Sequence, residues 1–206
     1  MNQLSATLFI RGFLIGLSVA ATVGPMAVLC IRRTLADGRL AGLATGLGVA
    51  TADGCYGAVA GFGLTVVSGA LLGAQGWLRL IGGGFLLYLG LKTLLAAPAE
   101  RATNAPASNL PHAYMSALAL TLTNPLTILS FAAIFAGLGA ATGGGYQTAA
   151  LLVLGVFVGS ALWWVILTGV VATLRARITT RGLRWVNRVS GAIILGFGLI
   201  ALVGSR

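Results

Sequence analysis

The chain has little charge and almost none of one sign: 8% of its 206 residues are charged, with 3 Asp or Glu against 13 Lys or Arg. Soluble domains carry about 25% charged residues, so a water-facing surface cannot be covered here. With a mean hydropathy of +0.99, the chain must be solvated by lipid. Each bilayer crossing takes about 20 apolar residues, which leaves no room for a separate soluble domain. The single histidine, His112, has no Cys, Asp or Glu near it, which excludes a closed transition-metal site. Cys30 and Cys55 both lie within apolar runs and form no Cys-x-x-Cys, so they make neither a disulfide scaffold nor a familiar redox motif. Each reads as a small hydrophobe. The net charge of +10 would suit a nucleic-acid binder, but no aromatics interleave with the basic residues as a nucleic-acid groove requires.

What is present is a succession of apolar stretches, near 8–31, 40–67, 78–97, 113–138, 148–174 and 189–204. Val19-Ala20-Ala21 resembles a signal-peptide cleavage site, but no basic n-region precedes it and the apolar run continues through Ile31, so the stretch reads as a first helix. The basic residues sit at the ends of these runs. Arg32, Arg33 and Arg39 fall in the first connection, Lys92 and Arg101 in the third, and Arg175, Arg177, Arg181, Arg184 and Arg188 in the fifth; only Arg11, Arg79 and Arg206 fall on the other side. That bias predicts cytoplasmic odd-numbered loops with both termini outside. The expectation is an all-α integral membrane protein, one transmembrane domain over 1–206 with six helices, N-out/C-out. A cytoplasmic linker, 98–112, divides three-helix halves at 1–97 and 113–206.

The halves echo each other. Gly24-Pro25 and Asn124-Pro125 stand 100 residues apart, each before a short apolar stretch. With three helices per half the second copy is inverted, and broken helices at matching positions of inverted repeats point to the central site of a secondary transporter. Each proline removes a donor and leaves a carbonyl four residues earlier, on Ala21 and Thr121, without its usual partner. Such groups are tolerated at membrane depth only where protein, water or ligand satisfies them. Asp53 is the only carboxylate inside any apolar stretch. It lies 14 residues past Arg39, roughly 20 Å along its helix. An Asp at a helix centre costs about 2.5 to 3.5 kcal/mol to insert, so it should face a bundle interior and mark an ion or proton path. The candidate path is Asp53, Gly24, Pro25, Asn124 and Pro125 with the flanking Thr22 and Thr123. Gly38, Gly42 and Gly46, and Gly155 and Gly159, recur at spacing four and read as helix-packing ridges. Trp77, Trp163 and Trp164 read as interfacial or packing aromatics, with a substrate-lining role as the lesser reading for Trp163 or Trp164.

Several blocks resemble the LysE/RhtB family of bacterial amino-acid exporters. Gly24-Pro25 with Arg32-Arg33 and Gly38-Arg39 is similar to the family's first-helix block, and Gly42, Gly46, Gly48 and Asp53 to its second-helix pattern. Thr123-Asn124-Pro125 resembles its fourth-helix motif, and residues Trp185 to Gly191 (WVNRVSG) the entry to its last helix. The resemblance implies proton-driven efflux of an amino acid or similar metabolite across a bacterial inner membrane, with Pro25, Asp53, Asn124 and Pro125 lining or shaping the path. Many members carry Lys after the Asn-Pro, where this chain has Leu126 and Thr127. The expected partners are a small-molecule substrate, protons and the bilayer. No nucleic acid, cofactor or enzymatic activity is expected. The glycine ridges leave a homodimer open, with no motif that specifies one. Two rivals remain: export of a metal cation such as cadmium, and a transmembrane thiol-disulfide electron carrier.

Overall fold

The computed structural model describes residues 3–22, 24–62, 73–96, 109–124, 127–128, 130–131, 146–175 and 179–203. Pro125, Leu126, and linker residues 98–108 with Arg101 lie outside the described residues. The described chain is all helical, with α1 (Gln3–Ala20), α2 (Pro25–Asp37), α3 (Arg39–Gly61), α4 (Gln75–Leu95), α5 (Leu110–Leu122), α6 (Tyr146–Arg175) and α7 (Thr180–Val203). Tyr146–Leu174 and Arg181–Val203 are each long and apolar enough to cross a membrane, and Ser5–Ala20 with Pro25–Asp37 passes as a third, broken span.

The first apolar stretch is thus two helices, not one, bent by 77°. Pro25 takes the first position of α2, where the missing N–H removes no helical bond and the fixed φ suits a helix start. Gly24 precedes it in extended geometry, and its carbonyl accepts the Val28 N–H at 3.3 Å. The fourth stretch breaks the same way: α5 ends at Leu122, and the Asn124 carbonyl accepts the Ile128 N–H at 3.2 Å. Gly38 is a joint between α2 and α3 rather than a packing ridge, with φ of 103° and ψ of 169°, a region open essentially to glycine alone.

Helix α1 packs on α6, α3 on both α6 and α5, α4 on α7, and α2 against α3, α6 and α7. Between helices in lipid the hydrophobic effect supplies little drive, so close backbone approach through small residues carries the packing. The α1–α6 contact is reciprocal. A methyl on Gly12 would collide with the Leu152 carbonyl and one on Gly16 with that of Val156, while one on Gly155 or Gly159 would strike the carbonyls of Phe9 and Phe13. Helices α4 and α7 interlock with Gly83 and Gly90 against Gly198 and Gly191, and there the backbones run antiparallel. Met26, Leu29 and Cys30 of α2 join Val49, Ala117, Leu120, Trp164 and Ile194 in one core. The short helix after the first break therefore lies in the middle of the bundle.

Two sets of arginines differ from their reading as loop charges. Helix α7 begins well before residue 189, so Arg181, Arg184 and Arg188 sit on a helix surface. Arg32 and Arg33 both belong to α2, and Arg33 is buried at 6% exposure. Its Nη1 donates to Thr45 Oγ1 (3.0 Å) and the Ala113 carbonyl (2.9 Å), and its Nη2 to Ser116 Oγ (2.9 Å). A buried guanidinium needs its fork of donors satisfied, and here α3 and α5 supply the acceptors.

Candidate functional site

The two helix breaks and the middle of α3 meet at one place. A cavity of about 40 Å³ is lined by Thr22, Gly24 and Pro25 of the first break, Asn124 of the second, and Asp53 of α3. Five of the seven residues singled out from sequence are brought together there, although the breaks are 100 residues apart in the chain. Thr123 is not among the lining residues; its Oγ1 donates to the Ala119 carbonyl (3.0 Å), and it abuts Gly82 of α4. Thr127, Ser130, Thr121, Met26 and Trp164 complete much of the wall.

Asp53 is 1% exposed. Its Oδ2 accepts a hydrogen bond from Ser160 Oγ of α6 at 2.7 Å, and Ser160 is itself fully buried. Among the described residues the one ion pair is Arg32 with Asp37, at 3.9 Å, so no cation there neutralises Asp53. Among the described residues the carboxylate is held by one hydroxyl, and it opens onto a small cavity with both polar and apolar walls. That is the setting in which a proton, or a ligand's cationic group, has most to gain by joining it.

The main-chain carbonyls at the breaks find partners within the protein. The Thr121 carbonyl, expected to be orphaned by Pro125, is met by the Asn124 N–H at 3.1 Å. The Leu122 carbonyl accepts the Tyr56 hydroxyl at 2.6 Å, and Tyr56 stacks on Phe131 at 5.7 Å. On the other side Thr22 Oγ1 donates to the Val19 carbonyl at 2.7 Å and closes the end of α1. Tyr56 and Thr22 thus fix the geometry of the breaks without filling the cavity.

Ser160, Thr127 and Ser130 were not singled out from sequence as site residues, and Trp164 was weighed for the site only as a lesser reading. Serine and threonine are common in membrane helices because they bond back to their own helix, so their residue type carries no signal. Trp164 is 3% exposed, buried rather than interfacial, and its ring forms part of the cavity wall. Its indole N–H, like that of Trp163, has no hydrogen-bond partner among the described residues. Neither cysteine lines the cavity. Cys30 is buried with its thiol toward the Gly42 carbonyl, and Cys55 is exposed. Among the described residues no three His, Cys, Asp or Glu side chains gather.

The model of the LysE type translocator family matches residues 17–205. A Bacillus subtilis (strain 168) protein named "Putative amino acid efflux protein YcgF" is 28% identical over 195 residues, 93% of each chain. An Escherichia coli (strain K12) protein named "Uncharacterized membrane protein YahN" is 32% identical over 194 residues, covering 90% of this chain and 85% of that one. No solved structure matches the chain.

Proposed function

The chain belongs to the LysE type translocator family, and from that premise we propose that it exports a small zwitterionic or cationic amino acid from the cytoplasm in exchange for protons. The observation that carries this reading is the convergence of Asp53 and both helix breaks on one cavity. Asp53 binds either a proton or the substrate's ammonium group. Exclusive occupation of one carboxylate by either cation gives antiport with no further machinery. Asn124 and the main chain of the breaks, shaped by Pro25, Pro125, Thr22 and Thr123, receive the substrate carboxylate. The amino-acid efflux named for the Bacillus relative supports this substrate class.

The architecture that goes with this reading is six spans in two inverted halves, 1–97 and 113–206, joined by a cytoplasmic linker, with both termini outside a bacterial inner membrane. The helix contacts support the inversion. Exchanging the halves turns the α1–α6 contact into the α5–α3 contact and returns α3–α6 and α4–α7 to themselves. The local bonding at Gly24 and Asn124 follows the same correspondence. At about 40 Å³ the cavity has room for roughly three water molecules at 10–15 Å³ each. Under the proposed exchange, substrate enters and leaves through conformations in which one half rocks against the other.

Uptake into inverted vesicles, whose interior corresponds to the cell exterior, tests the substrate class. Under an imposed proton gradient one labelled amino acid should accumulate and cadmium should not. The Cys30→Ser, Cys55→Ser double variant should retain that accumulation. Accumulation of cadmium alone, or dependence on the cysteines, would replace this reading with one of its rivals.

A further inference from the structure

The end of the bundle where α4 finishes and α7 starts carries a second feature that the transport reading does not use. Antiparallel packing brings Leu94 and Leu95 beside the first turns of α7, and Asn187 Nδ2 reaches the Ala96 carbonyl at 3.4 Å. Between the helices lies an open groove of about 540 Å³, lined by Leu94, Leu95, Trp185, Arg188, Val189 and Ala192. Its floor is apolar and one rim is cationic. Arg181, Arg184 and Arg188 recur at i, i+3 and i+7 and are all exposed, with Trp185, 62% exposed, among them. That spacing places them on one helix stripe.

Among the described residues these arginines have no protein counter-charge. The chain has three acidic residues. Asp53 is buried against Ser160, Asp37 is engaged by Arg32, and Glu100 lies outside the described residues. A cationic stripe that continues into an apolar groove, at the point where a span begins, matches a molecule with an anionic head and a hydrocarbon tail. Basic pockets between membrane helices bind anionic headgroups, and each arginine near the surface contributes about fivefold in affinity. A tryptophan at the same level suits the headgroup boundary.

We propose that this groove binds an anionic phospholipid, with its phosphate between Arg184 and Arg188 and an acyl chain along Leu94, Leu95, Val189 and Ala192. The site depends on the chain lying in a membrane and is independent of what it transports.

The test uses the purified full chain in detergent micelles, with no substrate and no gradient. Phosphatidylglycerol and phosphatidylcholine with identical acyl chains are titrated separately, and binding is read by native mass spectrometry and by the shift in melting temperature. Phosphatidylglycerol should bind and raise the melting temperature, and phosphatidylcholine should not. Arg184→Gln with Arg188→Gln should weaken phosphatidylglycerol on the order of 20-fold, and Arg11→Gln should leave it unchanged. Ala192→Trp, which fills the groove and keeps its charge, should also remove binding. The proposal is overturned by equal binding of the two lipids or by full binding in the double arginine variant. Equal competition by free glycerol phosphate would reduce the site to an anion site and overturn it too, as would crosslinking that places a second copy of the chain over the groove.

Discussion

Among the described residues Asp53 holds its carboxylate in the bundle interior with one donor, Ser160 at 2.7 Å, and hydrogen bonds to charged groups contribute about 1.5–3 kcal/mol. Ser160→Ala should therefore slow transport by roughly one to two factors of ten while the protein still folds, which initial-rate uptake beside a thermal melt would resolve. Arg33 makes the opposite case, a buried cation whose acceptors are all neutral. Removing it takes one donor from each of Thr45, the Ala113 carbonyl and Ser116, which keep their bonds to Ala41 and to each other, and leaves a cavity where the buried side chain stood. Arg33→Ala should lower the melting temperature steeply, and Arg33→Lys should not restore it, because an ammonium cannot reproduce the planar fork; a melt near that of the parent protein would show the network to be dispensable. Asp53 was legible in the sequence because a lone carboxylate in an apolar run stands out. Ser160 was not, because its partner lies 107 residues away and serine is unremarked in a membrane helix. Arg33 was misread because its neighbours Arg32 and Arg39 give it the look of an orientation charge.

Helices in this bundle touch through backbone, and glycine decides where. A Cβ on Gly90 would meet Leu195 at 2.7 Å and the Gly191 carbonyl at 3.1 Å, whereas one on Gly84, on the same helix, meets nothing within 4 Å. Gly90→Ala should cost about 1–3 kcal/mol by overpacking, and Gly84→Ala should be neutral or slightly stabilising, since alanine is the better helix former. Equal melting temperatures for the two variants would refute close packing between α4 and α7. The Pro25 break and the spacing-four ridge at Gly155 and Gly159 could be read in advance, because proline and small residues act through local sterics. The joint at Gly38 and the early start of α7 could not. Gly38 continues the ridge of Gly42 and Gly46 in sequence, and its role appears only once α2 turns into α3. The polar first turns of α7 resemble a loop unless the exposed arginine stripe is seen in three dimensions.

At the scale of the whole molecule, residues from both sides of the 98–112 linker line the space that Asp53 faces, so under the proposed exchange the widening that admits a substrate rearranges contacts between them. The network at Arg33 ties α2 and α3 to α5. Composition announced a lipid-solvated helical protein, and the paired breaks announced where a site would lie. The ridge of Gly42 and Gly46 marked α3 as a packing helix, and its partner α6, met at Thr168 and Trp164, lies too far along the chain for local sequence to name. The most direct measurement of the central claim is gradient-driven accumulation of the transported amino acid in acid-interior inverted vesicles, parent against Asp53→Asn, with and without a protonophore. The account predicts accumulation that collapses with the protonophore in the parent and is absent in Asp53→Asn. Full gradient-driven accumulation in Asp53→Asn would contradict it.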